Sequence, residues 1–288
     1  GHSSAASDVY KRQDLERSEI LCRAGEAIGL VIERKGHYRL TRKGAVLIGL
    51  PGVTALIEHH KILYQDLLNP VGFFKGVEET QLSKFWPYVF GGGMDLKSSE
   101  VEKYSDLMSE SQHLVAADTL AAVNIPSVCR FLDVGGGKGT FVSELKKIHP
   151  KVDAAVFDLP GSHSETSGHR CIIGSFKEDE LPAGYDIISL VRILYDHRDE
   201  TIRDLLGKAY SALDKGGRLI VSEPMLGADR PTLWGDVYFA MYTLAMSTGK
   251  TRSPDQVSGF IKDAGFSNVT IHKSARPFIT TVIEARKT

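Results

Sequence analysis

The decapeptide Phe131-Leu-Asp-Val-Gly-Gly-Gly-Lys-Gly-Thr140 constrains the fold more than any other stretch of the chain. Val128 to Val134 form a mostly apolar run of strand length, and Phe141 to Ile148 continue with helical spacing. Between them Gly135, Gly137 and Gly139 permit a tight turn and a close approach of backbone to a ligand. A strand running through such a turn into a helix is the opening unit of a Rossmann-like, doubly wound α/β sheet, with a ligand at its corner.

The spacing selects among ligands. A dinucleotide fingerprint needs G-x-G-x-x-G, and counting from Gly135 its third glycine position falls on Thr140. Pyrophosphate is therefore disfavoured. The pattern G-x-G-x-G preceded by Asp133 suits a cofactor with a cationic amino-acid end and no phosphate, as in S-adenosylmethionine. The next apolar strand, Ala154 to Phe157, ends at Asp158 and Leu159, where an acid can accept both hydroxyls of a ribose. The plainer alternative is a glycine turn with Asp158 merely capping a strand. The order strand, turn, helix, strand, acid argues against it.

These motifs resemble a known family. Phe131 to Thr140, Val156-Phe-Asp-Leu-Pro160, Leu190 to Asp199 and Ser222-Glu-Pro224 together are similar to the S-adenosylmethionine-dependent O-methyltransferases that include the plant caffeate and acetylserotonin enzymes. Tyr38-Arg-Leu-Thr-Arg-Lys-Gly44, the run His-His-Lys-Ile-Leu-Tyr-Gln-Asp-Leu at 59 to 67 and Val191-Arg-Ile-Leu-Tyr-Asp-His197 resemble its bacterial carotenoid branch, the demethylspheroidene or hydroxyneurosporene O-methyltransferases. The resemblance implies methyl transfer to a hydroxyl of a hydrophobic small molecule, with a hydroxylated carotenoid as first expectation and S-adenosylhomocysteine as product. A phenolic or antibiotic acceptor, a non-catalytic regulator that binds the cofactor, and more remotely a nicotinamide enzyme are the alternatives.

Carried onto this chain, the resemblance implies cofactor contacts from Asp133, Gly135, Gly137, Asp158, Leu159, the loop Gly174-Ser175-Phe176, and Arg192. In that loop relatives usually carry an acid and a methionine, and Arg192 stands where many have tryptophan. Met108, Trp86 and Asp236 are expected near the acceptor. Plant-type relatives read Leu-His-Asp-Trp where this chain reads Leu194-Tyr-Asp-His197, so their histidine base is absent. Tyr195 takes its position, with a phenol whose ordinary pKa of about 10 leaves little phenolate at neutral pH. His197 has the better intrinsic pKa but need not face the substrate. Tyr195 is the favoured contact to the acceptor hydroxyl, and Glu223 matches an acid that orients the base.

Composition agrees with a globular enzyme. The 288 residues suffice for a sizeable core, and a formal net charge of -1 implies no bulk attraction to nucleic acid or anionic lipid. No stretch reaches the roughly 20 apolar residues of a membrane span. Three cysteines, Cys22, Cys129 and Cys171, lack metal-ligand spacing and point to a reducing, cytoplasmic compartment. Adjacent His59 and His60 face different ways on a helix, so no metal site is expected.

Three parts are expected. Residues 1–13 read as a non-native or unstructured leader. Residues 14–122 read as a partial winged-helix domain, mainly helical and lacking its opening helices, which in relatives mediates homodimerisation and closes the substrate pocket. Residues 123–288 read as the cofactor-binding catalytic domain. Helices are expected over Leu21 to Leu30, from Thr41 or Arg42, over Tyr104 to Ala122, Asp199 to Leu213 and Trp234 to Met246, and from Ser253 to Gly265. The last two strands, Val269 to Lys273 and Phe278 to Ala285, are expected to be antiparallel.

Overall fold

The computed structural model describes residues 15–49, 51–77, 79–85, 111–160 and 169–288. The expected leader, Trp86 and Met108 lie outside them. The chain divides into two compact units, the first ending at Glu58 and the second starting at His59.

In the first unit, α1 (Leu15–Ala27) leads to a hairpin of β1 (Val31–Arg34) and β2 (His37–Leu40), then to α2 (Arg42–Gly49). Arg34 pairs with His37, leaving a two-residue turn at Lys35 (φ 55°) and Gly36 (φ 78°). Two left-handed residues give the turn that matches strand twist. The Thr41 hydroxyl donates to the Gly29 carbonyl at 2.7 Å and accepts the Gly44 N–H at 3.1 Å, capping α2. The helix, hairpin, helix order is as expected, but α1 already includes Leu15, ahead of Leu21, and ends at Ala27 rather than Leu30. No residue of α1 is buried, so apolar periodicity carries little information about where it begins.

α3 (Pro51–Asp66) spans the division between units. Beyond it lie α4 (Pro70–Lys75), α5 (Gln81–Phe85) and α6, whose described part is residues 111–122. The catalytic-type sheet follows, with β3 (Arg130–Val134), β4 (Asp153–Asp158), β5 (Arg170–Ile173), β6 (Tyr185–Val191), β7 (Leu213–Glu223), β8 (Ser267–His272) and β9 (Thr281–Arg286). Their spatial order is β5-β4-β3-β6-β7-β9-β8. All pairs are parallel except those of β9, which runs antiparallel to β7 and to β8. The chain moves outward from β3 through β4 to β5, then returns to β6 on the other side of β3. That reversal puts the topological switch point, where open α/β sheets bind ligands, between β3 and β6.

Period-2 alternation distributes the core over both faces. Leu132, Val134, Ala155, Phe157, Ile188, Leu190, Leu219 and Val221 pack with Ile202, Leu205, Leu206 and Ala209 of α8 (Asp199–Ala212) and with Val257 and Ile261 of α10 (Pro254–Asp263). Phe131, Ala154, Val156, Ile187, Val191 and Ile220 face Phe141, Val142 and Leu145 of α7 (Thr140–Ile148) and Val115 and Ala116 of α6. Three hydroxyls tie α6 to the sheet: Thr119 and Ser222 lie 2.6 Å apart, and Ser222 and Thr280 2.7 Å.

The helix expected over Trp234 to Met246 has two forms. Leu233–Phe239 is a π-helix and α9 (Ala240–Met246) is regular. Asp236 accepts hydrogen bonds from Gly227 N at 2.8 Å and from Thr232 N at 2.7 Å, which pulls the first turn toward the preceding loop. Ser253 and Gln256 form the capping box of α10.

Candidate active site

On the α6/α7 face of the sheet, β3 presents Phe131 and then Asp133, while β6 presents Ile187 and then Ser189. The register pairs Asp133 with Ser189. These are adjacent polar positions at the switch point, on a face otherwise built largely from apolar side chains. The Ser189 hydroxyl donates to Asp133 Oδ1 at 2.6 Å, whereas Oδ2 is buried without a partner. Burial raises the Asp133 pKa to about 7, against the Ser189 hydrogen bond, and the Asp158 charge adds to the rise. A buried, half-satisfied carboxyl is costly unless something else supplies a donor.

The glycine turn wraps this group. A Cβ on Gly136 would stand 2.4 Å from Asp133 Oδ2, and one on Gly135, itself at φ 72°, would stand 2.3 Å from Ile193 Cδ1. Asp158 closes the other side: Oδ2 accepts Gly137 N–H at 2.7 Å, and Oδ1 accepts Leu159 N–H at 2.6 Å. Gly174 N–H donates to the Asp158 carbonyl at 3.0 Å, bringing the Gly174-Ser175-Phe176 loop to the same edge. Within that loop Ser175 N–H is held by Asp179, and the Phe176 ring meets the His197 ring edge-on at 5.3 Å. These features fit a nucleoside cofactor bearing an ammonium group: an orphaned carboxylate oxygen, a backbone cradle with no room for a Cβ at Gly135 or Gly136, and an acid at the end of the neighbouring strand.

Around the β6 end lies a second cluster. Arg192, at φ 60°, donates from its backbone to Ser222 O at 2.8 Å and from its guanidinium to Ser111 Oγ at 2.8 Å. The Arg192 charge also acts on Tyr195 and Asp196, favouring the ionised form of each against burial. Arg192 thus links the β6 end to α6 and to β7. Tyr195 is 3% exposed, and burial drives its pKa well above the ordinary phenol value. Burial also lifts Asp196 to about 7 despite Arg192, and its Oδ1 is enclosed without a partner. His197 is buried, and burial with the Lys177 and Arg252 charges lowers its pKa to about 4.

Glu223 closes β7 beneath this turn. Its Oε2 accepts Leu194 N–H at 2.9 Å and Tyr195 N–H at 3.2 Å, and burial raises its pKa to about 8. It therefore holds the backbone of the 194–195 turn. Asp236 is occupied in closing the 227–232 loop, with its pKa held low by the N–H and hydroxyl donors around it.

Sequence reasoning overlooks Arg252. This side chain is 1% exposed and donates to Leu194 O at 3.1 Å, His197 O at 2.9 Å and Asp199 Oδ1 at 2.6 Å, fixing the Leu194 to His197 turn from behind. No local pattern marks an arginine as buried. Tyr238 and Tyr242 also escape notice, because their partners His60 and His59 lie 178 and 183 residues away.

A seven-stranded sheet of this order with a nucleoside-type cradle at its switch point defines the Rossmann-like methyltransferase class. The sequence pattern of the O-methyltransferase domain matches residues 64–267. The chain belongs to the S-adenosylmethionine-dependent O-methyltransferase family. It is 44% identical to the demethylspheroidene O-methyltransferase of Rhodobacter capsulatus, over 94% of this chain and 70% of that protein. It is 41% identical to the enzyme of the same name from Cereibacter sphaeroides, over 94% and 74%. The SAH-bound structure of a methyltransferase of calicheamicin biosynthesis shares the fold, with a TM-score of 0.80 at 18% identity over 100% of this chain and 88% of that one.

Proposed function

We propose that this enzyme moves a methyl group from S-adenosylmethionine to the hydroxyl of a hydroxylated carotenoid, a demethylspheroidene-like tertiary alcohol. The observation that carries the reading is 44% identity, across nearly the whole chain, to an enzyme named for that acceptor. The cofactor supplies an electrophilic methyl on a sulfonium, so the protein needs to bind, align and manage one proton.

In this reading Asp133 would hold the cofactor's ammonium group and Asp158 its ribose, with Gly135, Gly137, Leu159 and the 174–176 loop lining the cradle. Arg192 bridges the cofactor side to the acceptor side. Tyr195, kept neutral by burial, donates a hydrogen bond to the acceptor oxygen instead of serving as a phenolate base. His197 packs against Phe176, and its neutral ring contributes position. Holding the acceptor oxygen in line with the methyl supplies several kcal/mol by proximity. Exclusion of water favours a step in which charge is lost from the reacting pair. Trp86, Met108 and Asp236 belong to the acceptor side in the same proposal. So do a capping and dimerising role for residues 14–122, a homodimer, and cytoplasmic residence. No described helix is long and apolar enough to cross a membrane.

The test is calorimetric titration of S-adenosylhomocysteine into wild type and Asp158→Ala, followed by methyl transfer to a hydroxylated carotenoid in detergent and to a flat phenol. Binding lost in the variant and turnover of the polyene support the reading. Turnover of the phenol alone transfers the enzyme to the phenolic class.

A further inference from the structure

The tyrosine at 195 leaves the acceptor's proton without a base, and the structure offers another. His60 Nε2 lies 2.5 Å from the Tyr238 hydroxyl, with the rings edge-on at 5.0 Å. Tyr238 sits in the π-helix and stacks edge-on against Phe239 at 4.8 Å, and Phe239 in turn packs edge-on against Tyr195 at 6.3 Å. π-turns inside helices are frequent at functional sites, where they re-aim side chains. Here the wider turn presents Tyr238 to the histidine and Phe239 to the 195 turn. Both His60 and Tyr238 are half-buried, neither sealed in the core nor on open surface. In the neighbouring pair, His59 and Tyr242 at 2.7 Å, Tyr242 is a buried member of the cluster of Leu63, Phe73, Leu82 and Met246, whereas Tyr238 packs against that cluster from its partly buried edge.

Resting on the methyl-transfer reading above, we propose that Tyr238 and His60 form the proton exit of the reaction, with Tyr238 touching the acceptor hydroxyl and His60 receiving the proton through it. As the new O–CH3 bond forms and the sulfur leaves with the electron pair of the old S–CH3 bond, the alcohol's proton passes to the Tyr238 oxygen. The Tyr238 proton moves to His60 Nε2 in the same step. Tyr238 ends neutral, His60 ends as imidazolium, and the single positive charge of the sulfonium is conserved on the histidine. Burial keeps the His60 ring neutral before the step and speeds return of the proton afterwards. Burial raises the Tyr238 phenol well above its ordinary pKa, with the Arg192 charge working against that rise, so Tyr238 passes its proton on only while it takes up the alcohol's.

The direction of the hydrogen bond is the decisive point. Relay requires the Tyr238 hydroxyl to donate to an unprotonated Nε2. Nitrogen NMR of the ligand-free wild type therefore comes first, with Tyr238→Phe to assign the His60 signal. The expected result is an unprotonated, hydrogen-bonded Nε2 whose shift changes in the variant. A protonated Nε2 overturns the inference without any activity measurement. Turnover then follows for wild type, His60→Gln and Tyr238→Phe, with S-adenosylhomocysteine affinity measured for each. A fall in kcat of about 10²-fold or more in both variants is expected, the usual scale for loss of proton transfer. Cofactor affinity should stay within about 2-fold, the double variant should be no slower than the slower single, and imidazole should restore turnover to His60→Gly. Full turnover by His60→Gln and Tyr238→Phe overturns the inference alone. A wild type that binds S-adenosylhomocysteine but methylates no hydroxyl overturns the functional reading and this inference with it.

Discussion

Replacing Asp133 by asparagine isolates one buried ionisation and makes its cost measurable. In the folded protein this carboxyl titrates at about 7, against 3.8 for an ordinary aspartate, chiefly because burial penalises the charge. Between those values the folded chain holds a proton that the unfolded chain has lost. Stability conferred by that proton is complete below pH 3.8 and disappears as the pH rises through 7. Each pH unit in the window is worth about 1.4 kcal/mol, and about 2 kcal/mol is lost between pH 5 and pH 7. Asparagine keeps the shape and cannot ionise, so its own pH-independent offset drops out of the comparison. Urea unfolding of wild type and Asp133→Asn at pH 5, 6, 7 and 8, without cofactor, gives the difference in stability at each pH. The gap should move in favour of the variant by about 2 kcal/mol from pH 5 to pH 7 and continue to widen at pH 8. Asp196 and Glu223, which titrate at about 7 and about 8 in the fold, give both proteins a background slope of the same sign. A gap constant to within about 0.5 kcal/mol over the whole range would falsify the assignment of a strained carboxyl to this position.

Gly136→Ala forces a methyl to within 2.4 Å of Asp133 Oδ2 and 3.1 Å of Val156 Cγ1. A loss of about 1 to 3 kcal/mol and weakened S-adenosylhomocysteine binding are expected, read by thermal melting and titration. Glu223→Ala removes the acceptor of two buried N–H groups, with an expected cost of about 2 to 5 kcal/mol. Glu223→Gln, which retains an acceptor oxygen, should recover most of it in the same denaturation assay. Arg252→Met strips partners from the Leu194 and His197 carbonyls and removes a cation that depresses the His197 pKa. Proton NMR should place the His197 pKa above its wild-type value of about 4, and an unchanged value would show that burial and the Lys177 charge set it without Arg252.

Much of the catalytic half is legible in the chain because its signals are local. A strand followed by glycines and an amphipathic helix announces β3, its turn and α7 within twenty residues. Capping chemistry at Ser253 and Pro254 fixes the start of α10, and apolar runs locate β4, β6 and β7. The order of motifs also marks Asp133 and Asp158 as partners across one turn, since the strands that carry them are consecutive and parallel. The limits of α1 resist such reading, because a helix with no buried face lacks the periodicity that betrays its ends.

What only the tertiary structure decides is which polar groups are removed from water and which distant ones meet. Sequence names the aspartate before the glycines; the fold pairs it with Ser189 and leaves one oxygen wanting a donor. Sequence offers Tyr195 and His197 as rivals for a base. Burial makes the first a reluctant acid and the second a weak base. The meeting of His60 with Tyr238 and the enclosure of Arg252 depend on helices and loops far apart along the chain. Local sequence sets the backbone's short-range choices through sterics and hydrogen bonding. Desolvation and contact across a core depend on the whole packed chain, so the chemistry of this site emerges only once the sheet has closed around it.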